Sequence, residues 1–374
     1  MRLTRAEIDL ESLRFNFNGV RRRVGRDVKS MCIVKANAYG HGLAEIARAL
    51  TRFGADYLGV GFLEEGIALR RGGITTPVLV LGGVLGNQVA RFLEYSLDIT
   101  VSSIELAERI ELEVASGGGK KAEVHLKIDT GMERIGVRAE NAVQFIQRVS
   151  RLKNLRLAGI YSHFATSDER DKTFAYQQLE RFSAVVGKTK ELGIDIPLVH
   201  AANSGAILDM PESRFTLVRP GMMLYGVYPS AETSESIPLR PVLSLKSQVV
   251  FLKEVAAGVS VSYGRKYFTS SATRIATVPV GYGDGYSRRL TNRTDVIIRG
   301  RRFPVVGTIC MDQFMVDVGP GSDVHVGDDV VLIGTEHNQS ITAWELSEKL
   351  GTNPYEVLTG ITARVPRIFV NGNG

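Results

Sequence analysis

The sequence predicts an α/β protein of two domains, a (β/α)8 barrel of the TIM type followed by a mainly β domain. Eight short β-branched runs between residues 31 and 223, most of them separated by helical stretches, predict the barrel. Runs rich in Val, Ile and Thr, beyond a polar, helix-poor stretch at residues 230–238, predict the second domain. We expect the barrel over residues 1–235, with about ten N-terminal residues suited to packing with the second domain, and the β domain over residues 236–374.

The predicted barrel elements alternate along the chain. The strands are residues 31–34, 57–60, 78–81, 99–101, 124–128, 155–160, 198–201 and 215–218. Amphipathic helices are predicted between them, for example at residues 88–95, 104–114, 142–152 and 177–192. A doubly wound open sheet has a similar alternation. However, no GxGxxG follows a strand, and Gly117-Gly-Gly-Lys120 has the wrong spacing for a Walker loop, so the barrel is favoured.

The sequence of the second domain predicts β-strands, followed by a helix near its C-terminal end. Its predicted strands are residues 247–252, 275–280, 296–298, 303–309, 314–318 and 330–333. A helix is predicted at residues 342–350, and Asn353-Pro354 precedes a possible second helix.

Composition excludes several classes of protein. The net charge of +6 and the isoelectric point near 9.2 are typical of proteins that bind nucleic acid. However, basic and acidic residues are interleaved, and the one basic run, Arg21-Arg22-Arg23, has no aromatic residues interleaved with it, so nucleic acid is not the expected partner. The two cysteines lie far apart in apolar runs, so neither a disulfide framework nor a metal site is expected. No apolar run approaches membrane-spanning length, and a reducing cytoplasm is the expected compartment.

Lys35 stands directly after the first predicted strand, at the mouth of a βα loop. A lysine that ends a buried strand can become a desolvated nucleophile with a lowered pKa. The ordinary alternative is a lysine that ends a strand and extends its charge into water.

Ionisable or phosphate-competent groups also follow four other predicted strands. Barrel enzymes gather their active sites at these strand ends. A hydroxyl and backbone N–H groups at Asn203-Ser204-Gly205, together with Gly221, predict a phosphate cradle near strands seven and eight. A lysine across the mouth would suit a pyridoxal aldehyde. The groups are Lys127 and Arg134, His163, Asn203 and Ser204, and Arg219 with Gly221 and Met222.

These residues, with others in the second half of the chain, resemble the alanine racemase family over nearly the whole sequence. The matching motifs are Val34-Lys35-Ala-Asn-Ala-Tyr39-Gly-His-Gly42, Lys127-Ile-Asp-Thr-Gly-Met-Glu-Arg134, Ser162-His163-Phe-Ala-Thr, Asn203-Ser204, Val218-Arg219-Pro-Gly221, Val261-Ser262-Tyr263-Gly264, Gly281-Tyr282-Gly-Asp-Gly285 and Cys310-Met311-Asp312-Gln313.

The resemblance implies a pyridoxal 5'-phosphate (PLP) enzyme that interconverts L- and D-alanine for peptidoglycan, with active sites shared between the two subunits of a homodimer. Lys35 would form the internal aldimine, Arg219 would face the pyridine nitrogen and Arg134 the cofactor O3′. The phosphate would be held by Tyr39, Asn203, Ser204, Gly221 and Met222, with Tyr355 as a possible contact. Tyr263, as second base, and the Met311–Asp312 loop, near the substrate carboxylate, would come from the partner chain.

The implied chemistry suits these residue types. Inverting a stereocentre needs a proton removed on one face and delivered on the other, which a lysine and a tyrosine on opposite faces can provide. A tyrosine base needs an activating partner, and the family implies that His163 bridges Tyr263 and Arg219. Many family members carry a carbamylated lysine at the position of Lys127, where an ordinary ion pair with Asp129 is the alternative.

One departure from the family bears on substrate range. Several members place a tyrosine directly before Arg-Val-Pro, where this chain has Ala363. That tyrosine narrows the substrate entrance, so a broader amino-acid racemase that also accepts serine is an alternative, unless another side chain fills the gap. A non-catalytic PLP-binding barrel is a third possibility, but such proteins lack a β domain bearing Tyr263 and Cys310-Met311-Asp312-Gln313.

Overall fold

The computed structural model describes residues 2–117 and 120–372, so Gly118 and Gly119 of the glycine run lie outside the described residues. The chain divides into two compact units. The barrel unit comprises Ser12–Ala38 and Leu43–Arg240, and the β unit comprises the chain up to Glu11, Tyr39–Gly42 and the chain from Pro241 onward. In the described part of the chain, no helix is both long enough and apolar enough to cross a membrane.

Eight parallel strands in the described part of the barrel unit form a nearly closed barrel, which confirms the predicted fold class. Each predicted strand overlaps an observed one. The ring closes through Thr216, whose N–H donates to Val199 O at 3.2 Å and whose carbonyl accepts from Lys29 N–H at 3.0 Å. The strands are Lys29–Ile33, Tyr57–Val60, Val78–Val80, Asp98–Val101, Ala122–Asp129, Leu155–Tyr161, Leu198–His200 and Leu217–Val218.

The barrel strands are buried almost throughout because helices cover their outer face. This burial explains why their sequences are mainly apolar. The helix Leu10–Val24 precedes the first barrel strand. The two-residue strand Val137–Arg138 pairs in parallel with the end of Ala122–Asp129. The other helices are Leu43–Arg52, Leu63–Arg71, Val89–Glu94, Ile104–Gly117, Ala139–Val149, Thr173–Glu191 and Ser204–Asp209.

The β unit is built on a ten-stranded, mostly antiparallel sheet within the described residues. Next to one edge of this sheet, the strand Arg5–Asp9 comes from the N-terminus and pairs in parallel with the edge strand Arg367–Val370, at the other end of the chain. A two-stranded ribbon, Ser260–Val261 with Tyr267–Phe268, lies apart from the large sheet. Helices Ala343–Leu350 and Pro354–Thr359 follow the last antiparallel hairpin. The other strands of the large sheet are Leu243–Gln248, Phe251–Val255, Thr273–Val278, Asp295–Ile298, Arg301–Val306, Phe314–Asp317, Asp329–Glu336 and Gln339–Ile341.

The single strand predicted at residues 247–252 is wrong, because the chain forms two strands there. Val249 N–H donates to Asp328 O at 3.0 Å, whereas Val250 N–H donates to Thr277 O at 2.9 Å. The backbone therefore changes its pairing partner between these two residues. An unbroken apolar run does not reveal such a change.

Candidate active site

The carboxyl ends of the parallel barrel strands place the predicted polar groups on one rim of the barrel. Lys35 follows the strand Lys29–Ile33, Lys127 lies near the end of Ala122–Asp129, and Arg219 follows Leu217–Val218. The positive charges of Arg219, Lys127, Arg134 and Lys35 all lower the pKa of His163 further below its usual range, beyond the larger effect of burial. The rim therefore concentrates cationic groups, which favours an anionic ligand.

Lys35 projects from the rim with its stem beside a glycine. A Cβ atom at Gly61 would lie 3.3 Å from Glu65 Oε2 and 3.6 Å from Lys35 Cβ, so a side chain there would crowd the Glu65 carboxylate and make ordinary contact with the lysine stem. Desolvation lowers the pKa of Lys35, the positive charge of Arg134 lowers it further, and the carboxylate of Glu65 opposes both. These effects favour the neutral, nucleophilic amine.

The backbone directly after Lys35 adopts an unusual left-handed turn. Ala36, Asn37 and Ala38 have φ values of 52°, 55° and 53°, and none of the three is a glycine. Left-handed geometry costs an L-residue roughly 1–2 kcal/mol. Such strain persists where the surrounding structure enforces it, and it is concentrated at functional sites.

Arg219 is buried at the centre of a hydrogen-bond network. Its Nη1 donates to Nδ1 and the backbone O of His200, both at 3.0 Å. Its Nη2 donates to Ser162 O at 2.7 Å, Ala201 O at 3.0 Å and His163 Nδ1 at 3.1 Å. Burial lowers the pKa of Arg219 to about 10, so the guanidinium stays charged at neutral pH.

The hydrogen-bond network continues away from Arg219 through His200 to His125. His200 accepts from Arg219 at Nδ1, so its proton lies on Nε2, which is 3.0 Å from His125 Nδ1. His125 Nε2 in turn lies 3.4 Å from Asp98 Oδ2. Tyr161 stacks on His200 with ring centroids 4.8 Å apart. This packing fixes the His200 ring against Arg219.

Lys127 is a buried lysine close to Arg219. Desolvation chiefly lowers its pKa to about 7, the Arg219 charge lowers it further, and Asp129 opposes the shift. Its Nζ donates to Ile128 O at 3.0 Å. A substantial fraction of this amine is therefore neutral at neutral pH.

Asp129 shapes the loop that carries Arg134. Its Oδ1 accepts from the N–H groups of Gly131, Met132 and Glu133 at 2.8, 3.0 and 3.2 Å. Burial alone would raise the pKa of Asp129, but the Gly131 and Glu133 hydrogen bonds and the Lys127 charge outweigh burial, so its pKa is lowered. Asp129 is thus committed mainly to backbone donors rather than to an ion pair with Lys127.

The residues predicted to cradle a phosphate follow the last two barrel strands. Asn203 caps the helix Ser204–Asp209, with its Oδ1 accepting from Ala206 N–H at 3.1 Å. Ser204 Oγ accepts from Gly221 N–H at 3.0 Å. Met222 begins the short 3-10 turn that follows. The Gly221 backbone therefore fixes the position of the Ser204 hydroxyl on the rim.

The remaining predicted site residues belong to the β unit. The rings of Tyr39 and Tyr355 have centroids 6.1 Å apart. Tyr263 is 72% exposed, and its backbone O accepts from Thr308 Oγ1 at 2.7 Å. Met311 is 52% exposed, next to Asp312, whose carboxylate pairs with Arg364 at 2.6 Å.

An open groove of about 830 Å³ surrounds Tyr263 within the β unit. Five large exposed apolar or aromatic residues line it, which is unusual for a surface that faces only water. They are Phe251, Val259, Tyr263, Tyr282 and Met311.

The structure thus brings Lys35, Lys127, Arg134, His163 and Arg219 within electrostatic reach of one another. Sequence reasoning missed two residues that act on this group, Glu65 and His200. Glu65 looks like an ordinary first-turn helix acid, so no sequence signal distinguishes it. His200 ends the apolar strand Leu198–His200 with a polar side chain, and a polar residue at a strand end of a barrel is a sequence signal for the site.

Comparison with known proteins identifies relatives for the whole chain. The family described as "Alanine racemase, N-terminal domain" matches residues 8–229, and "Alanine racemase, C-terminal domain" matches residues 242–369. A protein named alanine racemase from Halothermothrix orenii is 46% identical over 373 residues, which cover 100% of this chain and 98% of that protein. One from Carboxydothermus hydrogenoformans is 47% identical, covering 99% of this chain and 100% of the relative.

Solved structures agree with the sequence relatives. The alanine racemase of Clostridium difficile 630 superposes with a TM-score of 0.94 at 42% identity, covering 99% of this chain and 96% of that one. The alanine racemase of Bacillus anthracis, solved with bound L-Ala-P, gives a TM-score of 0.92 at 37% identity, covering 100% of this chain and 96% of that one.

Proposed function

Because this chain belongs to the alanine racemase family, we propose that it is a PLP-dependent isomerase that interconverts L- and D-alanine. The observation that carries the proposal is the pairing, on one barrel rim, of a lysine with a lowered pKa and a cationic cluster around a buried arginine. An amine that is readily neutral suits attachment of an aldehyde, and the surrounding charge suits a phosphorylated cofactor and an amino-acid carboxylate.

The residues present fit PLP. Lys35 would supply the amine, and the Ser204 hydroxyl and the Met222 N–H are proposed as donors to the phosphate, with Asn203 fixing the helix start beside them. Gly221, whose own N–H donates to Ser204 Oγ, is proposed to allow the close approach of the phosphate. Tyr39 and Tyr355 are proposed as further phosphate contacts. When bound, PLP supplies an electron sink that makes the α-proton of an amino acid removable.

Arg219 is proposed to face the pyridine nitrogen. Its two terminal nitrogens are committed to five protein acceptors, so the Nε–H is the donor left for a ligand. A guanidinium with a pKa of about 10 does not give up its proton readily at neutral pH. The ring nitrogen would therefore receive a hydrogen bond rather than a proton, which weakens the electron sink and disfavours side reactions such as transamination.

Two bases on opposite faces of the substrate are proposed to move the α-proton. Lys35 acts on one face. Tyr263 acts on the other and comes from a partner subunit, with His163 bridging it to Arg219. His163 accepts from Arg219 at Nδ1, which leaves its Nε2–H to donate toward the tyrosine oxygen.

A homodimer is proposed on the basis of the Tyr263 groove. Its five exposed apolar or aromatic residues would otherwise face water. A second copy of the chain seated there would cover them and deliver Tyr263 to the partner's barrel rim. The Met311–Asp312 loop lines the same groove and would approach the partner's substrate carboxylate.

Lys127 is proposed to be carbamylated. Its neutral Nζ would attack the carbon of CO₂, forming one N–C bond and releasing one proton to solvent, which leaves a carbamate with one negative charge. That charge would be attracted by Arg219 and Arg134, both of which lower the pKa of the unmodified amine. The carbamate would orient Arg134 toward the cofactor oxygen and the substrate.

The alternative of a broader racemase that accepts serine rests on Ala363, which is exposed in the β unit. A non-catalytic PLP-binding barrel is disfavoured because the C-terminal domain of the family matches residues 242–369. A role in supplying D-alanine to peptidoglycan and a cytoplasmic location remain predictions.

Loss of the α-deuteron from each alanine enantiomer tests the proposal. We expect wild-type protein with PLP to exchange the α-deuteron of both enantiomers in water. Lys35→Ala and Tyr263→Phe should impair exchange with opposite enantiomer preference, each by about 10²–10⁴-fold. Equal defects for both enantiomers, or no exchange by wild type, would contradict a two-base racemase.

A further inference from the structure

The Glu65 carboxylate binds three backbone N–H groups from two separate segments. Its Oε2 accepts from Gly61 at 2.8 Å and from Phe62 at 3.3 Å. Its Oε1 accepts from Ala36 at 2.6 Å. Glu65 itself lies in the first turn of the helix Leu63–Arg71.

Helix capping explains only half of this arrangement. Gly61 and Phe62 directly precede the helix that contains Glu65, so Oε2 satisfies donors at its own helix start. Ala36 is 29 residues away and follows Lys35 directly. Oε1 therefore holds the first residue of the left-handed turn, at the position where the backbone leaves Lys35.

We propose that Glu65 is a positioning residue for Lys35, which holds the strained turn at Ala36 so that the lysine amine keeps the orientation needed to bear the cofactor and to transfer a proton. Glu65 acts through the Ala36 backbone and, secondarily, by placing a negative charge near the amine. The inference rests on the proposed function, because it takes Lys35 to be the cofactor lysine.

The geometry requires a carboxylate rather than any polar group. All three partners are donors, and an ionised carboxylate is acceptor-only at both oxygens. A glutamine would keep one acceptor oxygen and turn an NH₂ group against either Ala36 or Gly61. Glu65→Gln therefore removes one side of the bridge at nearly unchanged volume.

Other contacts keep the segment folded without Glu65. Asn37 Oδ1 accepts from Leu43 N–H at 2.8 Å, and Ala38 N–H donates to Val34 O at 2.8 Å. Loss of the Glu65 bridge should therefore loosen Ala36 and Lys35 locally and leave the barrel intact.

The test compares full-length wild type, Glu65→Gln and the control Glu64→Gln, which changes the exposed neighbour in the same helix turn. Hydrogen–deuterium exchange of the peptide containing residues 36–38 is measured with and without added PLP. PLP affinity is measured from the absorbance of lysine-bound PLP, and α-deuterium isotope effects on kcat are measured for each alanine enantiomer. Melting temperatures report on global stability.

In Glu65→Gln we expect this peptide to exchange about 10–100-fold faster, because a hydrogen bond to a charged group is lost. PLP affinity should fall by about 10-fold or more. The isotope effect should rise for one enantiomer only, since Lys35 serves one face of the substrate. Glu64→Gln should match wild type in all measurements.

Unchanged exchange and PLP affinity in Glu65→Gln would overturn the inference, as would an isotope effect that rises equally for both enantiomers. If wild type neither bound PLP nor racemised alanine, the proposed function would fail instead. The exchange measurement without PLP would then still decide whether Glu65 holds the turn.

Discussion

His163 Nδ1 lies 3.1 Å from Arg219 Nη2. Because a guanidinium can only donate, the histidine must accept at Nδ1 and carry its proton on Nε2. Burial, followed by the Arg219 charge, lowers the pKa of His163 well below its usual range. His163 is therefore a neutral imidazole whose Nε2–H is a fixed hydrogen-bond donor. This form suits a hydrogen bond to a phenol, whereas a general acid would need the imidazolium form.

Replacing His163 tests this bridge. His163→Leu keeps the volume roughly constant but removes both ring nitrogens. We expect kcat to fall by about 10–100-fold, with a changed pH–rate profile, because a positioned proton-transfer partner is lost. His325→Leu, at an exposed histidine of the β unit, is the control. Unchanged turnover and pH profile in His163→Leu would show that the histidine takes no part.

Replacing Arg219 by lysine should destabilise the barrel although the charge is kept. A lysine has one nitrogen in place of two, so the carbonyl oxygens of Ser162, His200 and Ala201 would lose hydrogen bonds from the guanidinium in a buried site. We expect the free energy of unfolding in urea to fall by about 2–5 kcal/mol. Arg148→Lys, at an exposed ion pair with Glu108, should change it by less than about 1 kcal/mol.

Stability should fall in acid because two histidines in contact with Arg219 resist protonation. Burial, followed by the Arg219 charge, lowers the pKa of both His163 and His200 well below the ordinary value of about 6.5. The unfolded chain therefore binds more protons than the folded one once the pH drops below about 6.5, and folding weakens as the pH falls toward the folded-state values.

Each histidine should contribute a slope of about 1.4 kcal/mol per pH unit in that range. Urea unfolding at constant cofactor loading, between pH 7 and pH 5, measures it. His200→Gln should lower the slope by about 1.4 kcal/mol per pH unit, the contribution of one proton. A flat profile over this range would mean that neither ring is kept neutral by the fold.

The sequence predicts those elements whose own residues determine them, and it does not predict those that depend on pairing with distant segments. Barrel strands are buried on both faces, so their sequences are mainly apolar runs, and the eight runs predict all eight strands. The strand Arg5–Asp9 was not assigned, although its polar and apolar residues alternate, because its partner Arg367–Val370 lies at the far end of the chain. Likewise, the break at Val249 arises from pairing with two different strands.

The same reasoning applies to the site. Lys35 and Arg219 stand next to strand ends, so topology alone places them on one rim. The hydrogen bond from Glu65 reaches the backbone of Ala36, directly after Lys35, and it depends on a left-handed turn. Ala36, Asn37 and Ala38 form that turn, and as non-glycine residues they do not indicate it in the sequence. The proposed roles of the β-unit residues remain predictions.

Carbamylation of Lys127 should depend on the neutral amine. With a pKa of about 7, set chiefly by burial, the amine becomes increasingly reactive toward CO₂ as the pH rises through 7. At fixed dissolved ¹³CO₂ we expect one carbamate signal in the carbon NMR spectrum that grows from pH 6 to pH 8. Lys127→Met should abolish the signal, and Lys153→Met, at an exposed lysine, should retain it. An unmodified Lys127 at saturating CO₂ would contradict the assignment.

Restoring a ring at Ala363 tests whether its absence widens the substrate range. Ala363 is exposed, and its neighbour Arg364 is anchored to Asp312 at 2.6 Å and lies 3.5 Å from Asp284, so the backbone there is held in place while the side chain is free to change. We expect Ala363→Tyr to lower kcat/KM for serine by about 10-fold relative to alanine, because one misfitting group in a pocket costs about that much. Ala363→Ser, which adds no bulk, should keep the wild-type ratio. If the tyrosine variant kept the same serine-to-alanine ratio, another side chain must already set the width of the entrance, and the broader-racemase alternative would lose its only support.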